Sequence, residues 1–229
     1  MIQDPQTIAS LAQYDSATIA NAIEHLAIRD PTTGYAHSDL VCQTRDIAVP
    51  MVGYALTCTA DTTTPGDKRP SRIDQLIGLI AAAPKPVILV VQHLGHDLKR
   101  ACIFGDMFCA ALDKLDCKGI VTDANGRDLS GIRSRTPNFH IFAQGWVVSH
   151  GYGAFIDFNT TVSICGLSIA PGDLLHGDES GLVSVPNQVA PQVAKHALEV
   201  QREEKEYFDF LAGNEFSTEA LKRRINPHT

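Results

Sequence analysis

Apolar residues recur along this chain with two different periods, and their alternation predicts a mixed α/β fold. Continuous aliphatic runs with a proline or glycine nearby are typical of buried strands. Apolar residues spaced three and four apart are typical of helices with one buried face. In the first half, strands are predicted over residues 51–60, 87–91 and 120–121, and helices over residues 7–27, with a break near Tyr14, 71–82 and 106–115.

Short apolar segments broken by glycine and proline predict a β-rich second half. The predicted strands are residues 139–143, 145–150, 162–165, 167–170, 173–176 and 181–185. A long charged helix follows over 186–212, and a shorter helix over 217–225. We therefore divide the chain into a domain of residues 1–189 and a helical tail of residues 190–229.

The tail carries more apolar surface than an isolated helix should expose, and we expect it to dock on a neighbouring subunit. The residues behind this expectation are Ala197, Leu198, Val200, Tyr207, Phe208, Phe210 and Leu211.

The candidate site lies where a predicted helix and a predicted strand end meet. Gly105 precedes the helix, so the N–H groups of Met107 and Phe108 are predicted to be free to bind a carboxylate or a phosphate. Arg127 and Asp128 follow the strand that begins at residue 120. Strand ends and the helices after them converge on one edge in parallel α/β units, so we expect Asp106 and Asp128 to face a common pocket. An isolated Arg-Asp pair would more often be a solvated surface pair.

Asp106, twenty intervening residues and Arg127-Asp128 resemble the D-x20-R-D signature of the class II pyruvate aldolases of the RraA-like family, typified by 4-hydroxy-4-methyl-2-oxoglutarate aldolase. Residues 15–23, 120–128 and 171–186 are similar to the family's opening helix, core strand and closing β segment. The likeness covers most of residues 10–190. One departure is Asn21, where many relatives carry Asp.

The resemblance implies an α/β fold with a swivelling β/β/α-type core, added C-terminal helices, and assembly as a homotrimer or homohexamer with active sites between subunits. It implies a lyase that cleaves a 4-hydroxy-2-oxo acid to pyruvate by retro-aldol chemistry, with oxaloacetate decarboxylation as a companion reaction. Both reactions pass through the pyruvate enolate, whose charge a metal and an arginine would stabilise.

The resemblance also implies roles for particular residues. Asp128 would hold Mg²⁺, or another divalent cation such as Mn²⁺, largely through waters, which suits a hard cation. Arg127 and the amides of residues 105–108 would bind pyruvate, and Asp106 would orient a water that protonates the enolate. Glu203 is the candidate for an acidic residue that acts through water in the neighbouring subunit's site, with the nearby Glu199, Glu204 and Glu206 as alternatives. Arg69, Arg72 and Arg100 are candidates for the substrate's distal carboxylate.

Two other function classes were weighed. A non-enzymatic regulator of ribonuclease activity is the alternative within the same family, but such members are generally shorter, so residues 190–229 favour an enzyme. A Schiff-base aldolase needs a desolvated lysine. Lys85 lies between two prolines and the other lysines, Lys68 among them, lie in polar surroundings, which argues against that route.

Composition narrows the possible partners. The net charge of −7 and the pI of about 5.7 argue against a nucleic-acid partner. The first residues have no cationic start followed by an apolar core, and no apolar run approaches the roughly 20 residues that span a bilayer, so we expect a cytoplasmic protein without a membrane partner.

Cysteine and histidine give weaker signals. The six cysteines form no C-x-x-C pair and are expected to be small buried residues. His93 and His96 have a spacing seen in zinc sites, but no third ligand accompanies them, and His176 is interpreted as structural.

Overall fold

The computed structural model describes residues 2–65 and 71–225. Its helices are α1 (Pro5–Leu11), α2 (Ser16–His25), α3 (Ile73–Ala82), α4 (Asp106–Lys114), α5 (Leu129–Arg135), α6 (Ala190–Ala212) and α7 (Thr218–Ile225). Its strands are β1 (Val41–Cys42), β2 (Met51–Asp61), β3 (Val87–His93), β4 (Cys102–Phe104), β5 (Cys117–Thr122), β6 (Asn125–Gly126), β7 (His140–Ala143), β8 (Gly145–Trp146), β9 (Ala154–Phe158), β10 (Val162–Ile164), β11 (Leu167–Ile169), β12 (Leu174–Asp178) and β13 (Gly181–Val185).

The main sheet has the strand order β1-β7-β5-β3-β2-β12-β13, with β9 also paired to β2. Its centre, β2-β3-β5-β7, is parallel, so the carboxyl ends of four strands lie along one edge. Strand β2 is buried at all of its eleven residues. Its first half pairs with β12 and its second half with β9, both antiparallel.

Strand β3 shows why its aliphatic run is continuous. Successive side chains point to opposite faces of a strand. Leu89 and Val91 enter the core under α3, α4 and α5, whereas Ile88 and Val90 enter the core under the β10-β11 hairpin. Both faces are covered, so β3 has no polar face, as its sequence predicts.

A second, three-stranded parallel sheet, β4-β6-β8, carries the candidate site. Strand β4 leads directly into Gly105 and α4, and β6 leads into Arg127 and Asp128. The side-chain amide of Asn125 donates to the carbonyls of Leu98 and Ala101, each at 3.1 Å, and so ties β6 to the segment before β4. These strands have two or three residues each, too few to show a period in the sequence.

The predicted helix over residues 7–27 is two helices separated near Tyr14, where the break was expected. Asp4 caps α1 by accepting from the N–H of Gln6 at 3.0 Å, and Asp15 caps α2 by accepting from the N–H of Thr18 at 2.7 Å. The strand predicted over 145–150 extends only over Gly145–Trp146.

The helical tail begins with α6 at Ala190, close to the predicted boundary, but its first half packs within its own chain. Val193, Ala197 and Val200 are buried with residues of α1, α2 and β13. The expectation that Ala197 and Val200 form surface for a neighbouring subunit is therefore wrong. Farther along the tail, Phe208 and Leu211 stay exposed, Phe208 over 63% of its surface, whereas Tyr207 and Phe210 are half-buried.

Buried polar groups fit the fold. All six cysteines are free and buried, as predicted. His176 is enclosed between the hydroxyl of Ser16 at 2.9 Å and the carbonyl of Leu11 at 3.2 Å, which confirms a structural role.

Among the helices of the described residues, none combines the length and apolarity needed to cross a bilayer.

Candidate functional site

Arg127 and Asp128 of the candidate site pack closely against Gly105. A Cβ at this position would lie 3.1 Å from Oδ2 of Asp128 and 3.2 Å from both Cγ and Nε of Arg127. Gly105 has an extended backbone, φ −146° and ψ −175°, so its role is the space it leaves and not its dihedral freedom. The start of α4 therefore lies close to Arg127 and Asp128, as predicted.

Arg127 and Asp128 form a partly exposed ion pair. Nε of Arg127 lies 3.4 Å from Oδ2 of Asp128, with 35% and 41% of the two side chains exposed. The backbone N–H of Arg127 donates to the carbonyl of Phe104 at 3.0 Å, which holds β6 beside β4. Asp128 lies in the left-handed region, with φ 63° and ψ 39°, before the first residue of α5. Non-glycine residues held there cluster at functional sites.

Asp106 contacts a partner that sequence reasoning missed. Its Oδ2 lies 2.9 Å from Nη1 of Arg135, and its Oδ1 accepts from the N–H of Met107 at 2.8 Å. The prediction that the Met107 amide is free is therefore wrong, because the adjacent carboxylate occupies it. Asp106 is 22% exposed and its charge is balanced by Arg135.

Gly131 allows this second pair to form. A Cβ on Gly131 would lie 2.8 Å from Oδ2 of Asp106 and 2.9 Å from Nη1 of Arg135. A glycine in the middle of the seven-residue helix α5 is unfavourable for helix formation. That unfavourable glycine was the signal in the sequence that another group approaches closely.

A cleft of ≈ 230 Å³ opens beside these groups. Contrary to the expectation that Asp106 and Asp128 face a common pocket, neither is among its described lining residues, although their chain neighbours Gly105, Met107 and Arg127 are. Arg135 and Arg127 pair with the two carboxylates at the margin of the cleft. One wall is the β4-α4 junction and the other is the segment around β9, which supplies apolar surface. Among the described lining residues, this apolar surface lies beside one arginine, Arg127. The lining residues are Ala60, Thr62, Ser71, Ile73, Cys102, Ile103, Phe104, Gly105, Met107, Phe108, Arg127, His150, Gly153, Ala154 and Phe155.

A polar cluster behind the cleft occupies the carboxyl ends of β2, β3 and β5. The backbone N–H of His93 donates to Oδ1 of Asp123 at 2.8 Å, and Nε2 of His93 lies 3.8 Å from Oδ1 of Asp61. Burial raises the pKa of Asp123 to about 6 and lowers the pKa of His93. Burial also acts to raise the pKa of Asp61, but hydrogen bonds from Thr64 and Thr63 outweigh it and lower the pKa to about 2.

This cluster contacts the site through one residue. The N–H of Thr62 donates to Nε2 of His93 at 3.2 Å, while its hydroxyl accepts from the N–H of Cys102 at 3.2 Å. Thr62 also lines the cleft. No pattern in the sequence indicates this cluster, because its members come from three separate strand ends.

The other predicted site residues are dispersed. Glu203 lies on α6, 67% exposed, with Oε2 3.9 Å from Nε2 of His25 in its own chain. Arg72 is held by the side chain of Gln75 and stacks on Phe158 at 4.8 Å. Arg100 forms an exposed pair with Asp97. Arg69 and Lys68 lie outside the described residues.

Lys85, the lysine considered for Schiff-base chemistry, contacts backbone oxygens. Its Nζ donates to the carbonyl of Ile80 at 2.9 Å and to the carbonyl of Leu115. Lys85 is also not among the described residues that line the cleft, so the structure does not place it for Schiff-base attack there.

The donor set around Asp128 fits a hard divalent cation. A single carboxylate with about two-fifths of its side chain exposed leaves room for waters and for a chelating ligand. Magnesium is commonly held by one or two carboxylates with several waters retained.

Together these features define a mixed α/β protein with a cation and two carboxylates around a helix N-terminus. The sequence profile of the family described as RraA-like (Aldolase/RraA) matches residues 16–184, and the chain belongs to this family. A Halalkalibacterium halodurans protein, provisionally named as a 4-hydroxy-4-methyl-2-oxoglutarate aldolase, is 30% identical over 154 residues, which cover 66% of this chain and 71% of that protein.

Other curated relatives match over less of their own length. An uncharacterised Methanocaldococcus jannaschii protein is 23% identical, and the match spans 58% of it. Protein DlpA of Legionella pneumophila is 22% identical, and this chain spans only 31% of it.

Solved structures share the fold. An uncharacterised Pseudomonas syringae protein superposes with a TM-score of 0.75 at 21% identity, covering 98% of this chain and 96% of that one. Streptomyces coelicolor RraAS2, described as an unusual member of the RNase ES inhibitor RraA protein family, superposes with a TM-score of 0.69 at 23% identity, covering 90% and 98%. The predicted fold class, an RraA-like α/β core with added C-terminal helices, is confirmed.

Proposed function

We propose that this protein is a divalent-metal-dependent lyase that cleaves a 4-hydroxy-2-oxo acid to pyruvate by a retro-aldol reaction, and that it also decarboxylates oxaloacetate. The observation that carries the proposal is the packing of Arg127 and Asp128 against Gly105 at the start of α4. A cation, a carboxylate and a helix N-terminus meet there at the margin of a cleft. The aldolase name of the Halalkalibacterium halodurans relative supports the same reaction class.

Arg127 is the residue that binds the keto acid. It is the one arginine among the described residues that line the cleft, and a guanidinium can pair with a carboxylate through two parallel hydrogen bonds. The N-terminal end of α4, with the amide of Phe108, adds a favourable dipole for the same negative charge. The amide of Met107 is occupied by the side chain of Asp106 and does not contribute.

Asp128 is the residue that would hold Mg²⁺ or Mn²⁺. The bound cation would supply Lewis-acid stabilisation of the enolate oxygen. Asp128 itself is oriented by Arg127 and by its left-handed backbone at the start of α5. Arg127 also places positive charge where the enolate forms, which lowers the barrier to carbon–carbon cleavage.

Asp106 orients the water that protonates the pyruvate enolate. Both of its oxygens have partners, Arg135 and the N–H of Met107, so its position is fixed before substrate binds. Arg135 also offsets the negative charge of Asp106, which would otherwise repel an anionic substrate at the helix start. Arg135 is thus a positioning residue for the proposed reaction.

The assembly we propose is a homotrimer or homohexamer. The exposed end of the tail supplies apolar surface for it, and Glu203 would act through water in a neighbouring subunit's site. Glu203 is 67% exposed in its own chain, with Oε2 3.9 Å from Nε2 of His25, so the side chain is accessible to a neighbour.

The test is pyruvate release from 4-hydroxy-4-methyl-2-oxoglutarate, and separately from oxaloacetate, with magnesium and with a chelator. We expect release that requires the metal and falls at least 10²-fold in Asp128→Ala, since a metal ligand contributes several kcal/mol to the transition state. Asp46→Ala is the matched control, because it removes an exposed aspartate that is paired with Arg133 at 3.0 Å, and it should retain full activity.

The outcome that contradicts the proposal is the absence of release from either compound by a folded protein that binds magnesium. The ribonuclease-regulator alternative would then gain support, since a solved structure of the same fold is described as an RNase ES inhibitor family member. Full activity of Asp128→Ala would instead reject the metal assignment alone.

A further inference from the structure

A second group of metal-ligating side chains lies on the outer face of α2 and α6. His25 is in the last turn of α2, while His196 and Glu199 are on α6. One nitrogen or oxygen of each of these three residues lies within 4.8 Å of the other two. This group shares no residue with the Arg127–Asp128 pair or with the cleft's lining.

Folding brings the group together from two helices distant in sequence. Ile19, Ala22 and Ile23 of α2 are buried in the same core as Val193 and Ala197 of α6. Residues 196, 199 and 203 recur at helical spacing, so their side chains share the face of α6 beside this contact. Glu203 adds a second carboxylate, 3.9 Å from Nε2 of His25.

The local geometry leaves the donors close to the spacing that an ion requires. The rings of His25 and His196 meet edge-on with centroids 6.1 Å apart, and Nδ1 of His196 lies 2.7 Å from Oε2 of Glu199. A tetrahedral ion with bonds of about 2.1 Å sets its donors about 3.4 Å apart. Side-chain movements of about an ångström would therefore bring the donor atoms to this spacing. All of these side chains are partly exposed, so they have room to move.

We propose that His25, His196 and Glu199 bind a borderline divalent metal of the zinc class, with water as the fourth ligand. Imidazole nitrogens with a carboxylate select zinc, cobalt or nickel over magnesium, which prefers oxygen alone. The bound ion would fasten the tail helix to α2 and fix the direction of its exposed second half. This inference does not depend on the proposed lyase reaction.

The buried cysteines would not compete for the ion in the folded protein. Burial raises the pKa of Cys58 and Cys109 well above the usual range and that of Cys165 to about 11. A metal binds the thiolate, so these thiols are poor ligands while they stay buried.

The experiment is calorimetric titration of the chelator-treated full chain with zinc chloride in saturating magnesium, so that oxygen-only sites are already filled. We expect one zinc equivalent in the wild type and in Asp128→Ala, and at least tenfold weaker binding in His25→Ala and in His196→Ala. His37→Ala removes an exposed histidine outside the group and should bind as the wild type does. Circular dichroism establishes that each variant is folded.

Two further measurements distinguish a specific metal site from weak, non-specific binding at the surface. At a hundredfold excess of free zinc over the dissociation constant, the Tm of the wild type should rise by roughly 5 °C, and that of His196→Ala should not. Cobalt in place of zinc should give an intensified visible absorption that is lost in both histidine variants. Equal zinc affinity in the wild type and in both histidine variants, or no zinc binding by the wild type, overturns the proposal.

Discussion

Two glycines decide where the charged side chains of the site can lie. Gly105 leaves the space that Arg127 and Asp128 fill, and Gly131 leaves the space in which Asp106 meets Arg135. Neither has a left-handed backbone, so their value is the absence of a Cβ. At the residue scale, the site therefore depends on two positions without a side chain as much as on its charged residues.

We predict that Gly131→Ala reduces pyruvate release at least tenfold while leaving stability the same or higher. Alanine is favoured over glycine in a helix by about 0.5–1 kcal/mol, but its methyl group would displace Asp106, whose Cβ lies only 3.0 Å away. Steady-state kinetics and urea unfolding give the two readouts. Gly78→Ala, in α3 with open space around its Cβ, is the control and should stabilise without loss of rate.

His140 should make stability depend on pH. Burial lowers the pKa of this histidine from 6.5 to about 4, and its Nδ1 has no hydrogen-bond partner among the described residues. The unfolded chain therefore takes up the proton first, so stability is complete above about pH 6.5 and is lost as pH falls toward 4. The loss has an upper value of about 3 kcal/mol.

The measurement is urea unfolding between pH 4.5 and 7.5 for the wild type and His140→Gln. Asp123 acts in the opposite direction, because its raised pKa removes stability as pH rises toward 6, so the difference between the two proteins isolates His140. His37→Gln, at an exposed position, should keep the wild-type slope. An unchanged slope in His140→Gln would show that another group controls it.

At the scale of elements, the small β4-β6-β8 sheet is the scaffold of the site. Two- and three-residue strands have little stability of their own. Asn125 compensates for this, because its buried amide donates to the carbonyls of Leu98, Lys99 and Ala101. The positions of Arg127 and Asp128 therefore depend on one side chain two or three residues earlier in β6.

We predict that Asn125→Ala lowers the free energy of unfolding by about 1–3 kcal/mol, the cost of leaving buried carbonyls unpaired. The same change should lower the rate of pyruvate release more than it weakens substrate binding, since β6 sets the direction of Arg127. Chemical denaturation and steady-state kinetics measure the two effects. Asn138→Ala, at an exposed loop position, should alter neither.

At the scale of the whole molecule, the tail has a buried half and an exposed half. The first half of α6 belongs to the core formed with α1 and α2. The second half and α7 carry Phe208, Leu211 and Phe216 on exposed surface. Exposed aromatic residues grouped in this way are typical of a protein interface.

We predict that the wild type sediments as a trimer or hexamer and that Phe208→Glu shifts it toward smaller species. A charge placed in an apolar contact is costly to bury, so assembly is weakened while the core of each subunit stays intact. Sedimentation velocity measures the change. Arg202→Gln, at an exposed position about 120° around the same helix from Phe208, should leave the distribution as it is, and a monomeric wild type would contradict the prediction.

The sequence alone determined the elements that have a period. The aliphatic runs of β2 and β3 and the helical spacing of α4 predict those elements because burial on one or two faces imposes a repeat on the residues themselves. The start of α4 at Gly105 could be predicted for the same reason. Arg127 and Asp128 were predicted to follow the strand that begins at residue 120, but they follow β6, a separate strand too short to show a period. The family resemblance added the chemistry of the site.

Only the tertiary structure decided which distant side chains meet. The pairing of Asp106 with Arg135, the capture of the Met107 amide, and the burial of Ala197 and Val200 against the chain's own helices depend on how elements pack. The group of His25, His196 and Glu199 also depends on packing, because His25 is about 170 residues from the other two in sequence. Local patterns encode the state of a segment, whereas contacts between segments depend on the shape of the packed chain, which no single stretch of sequence contains.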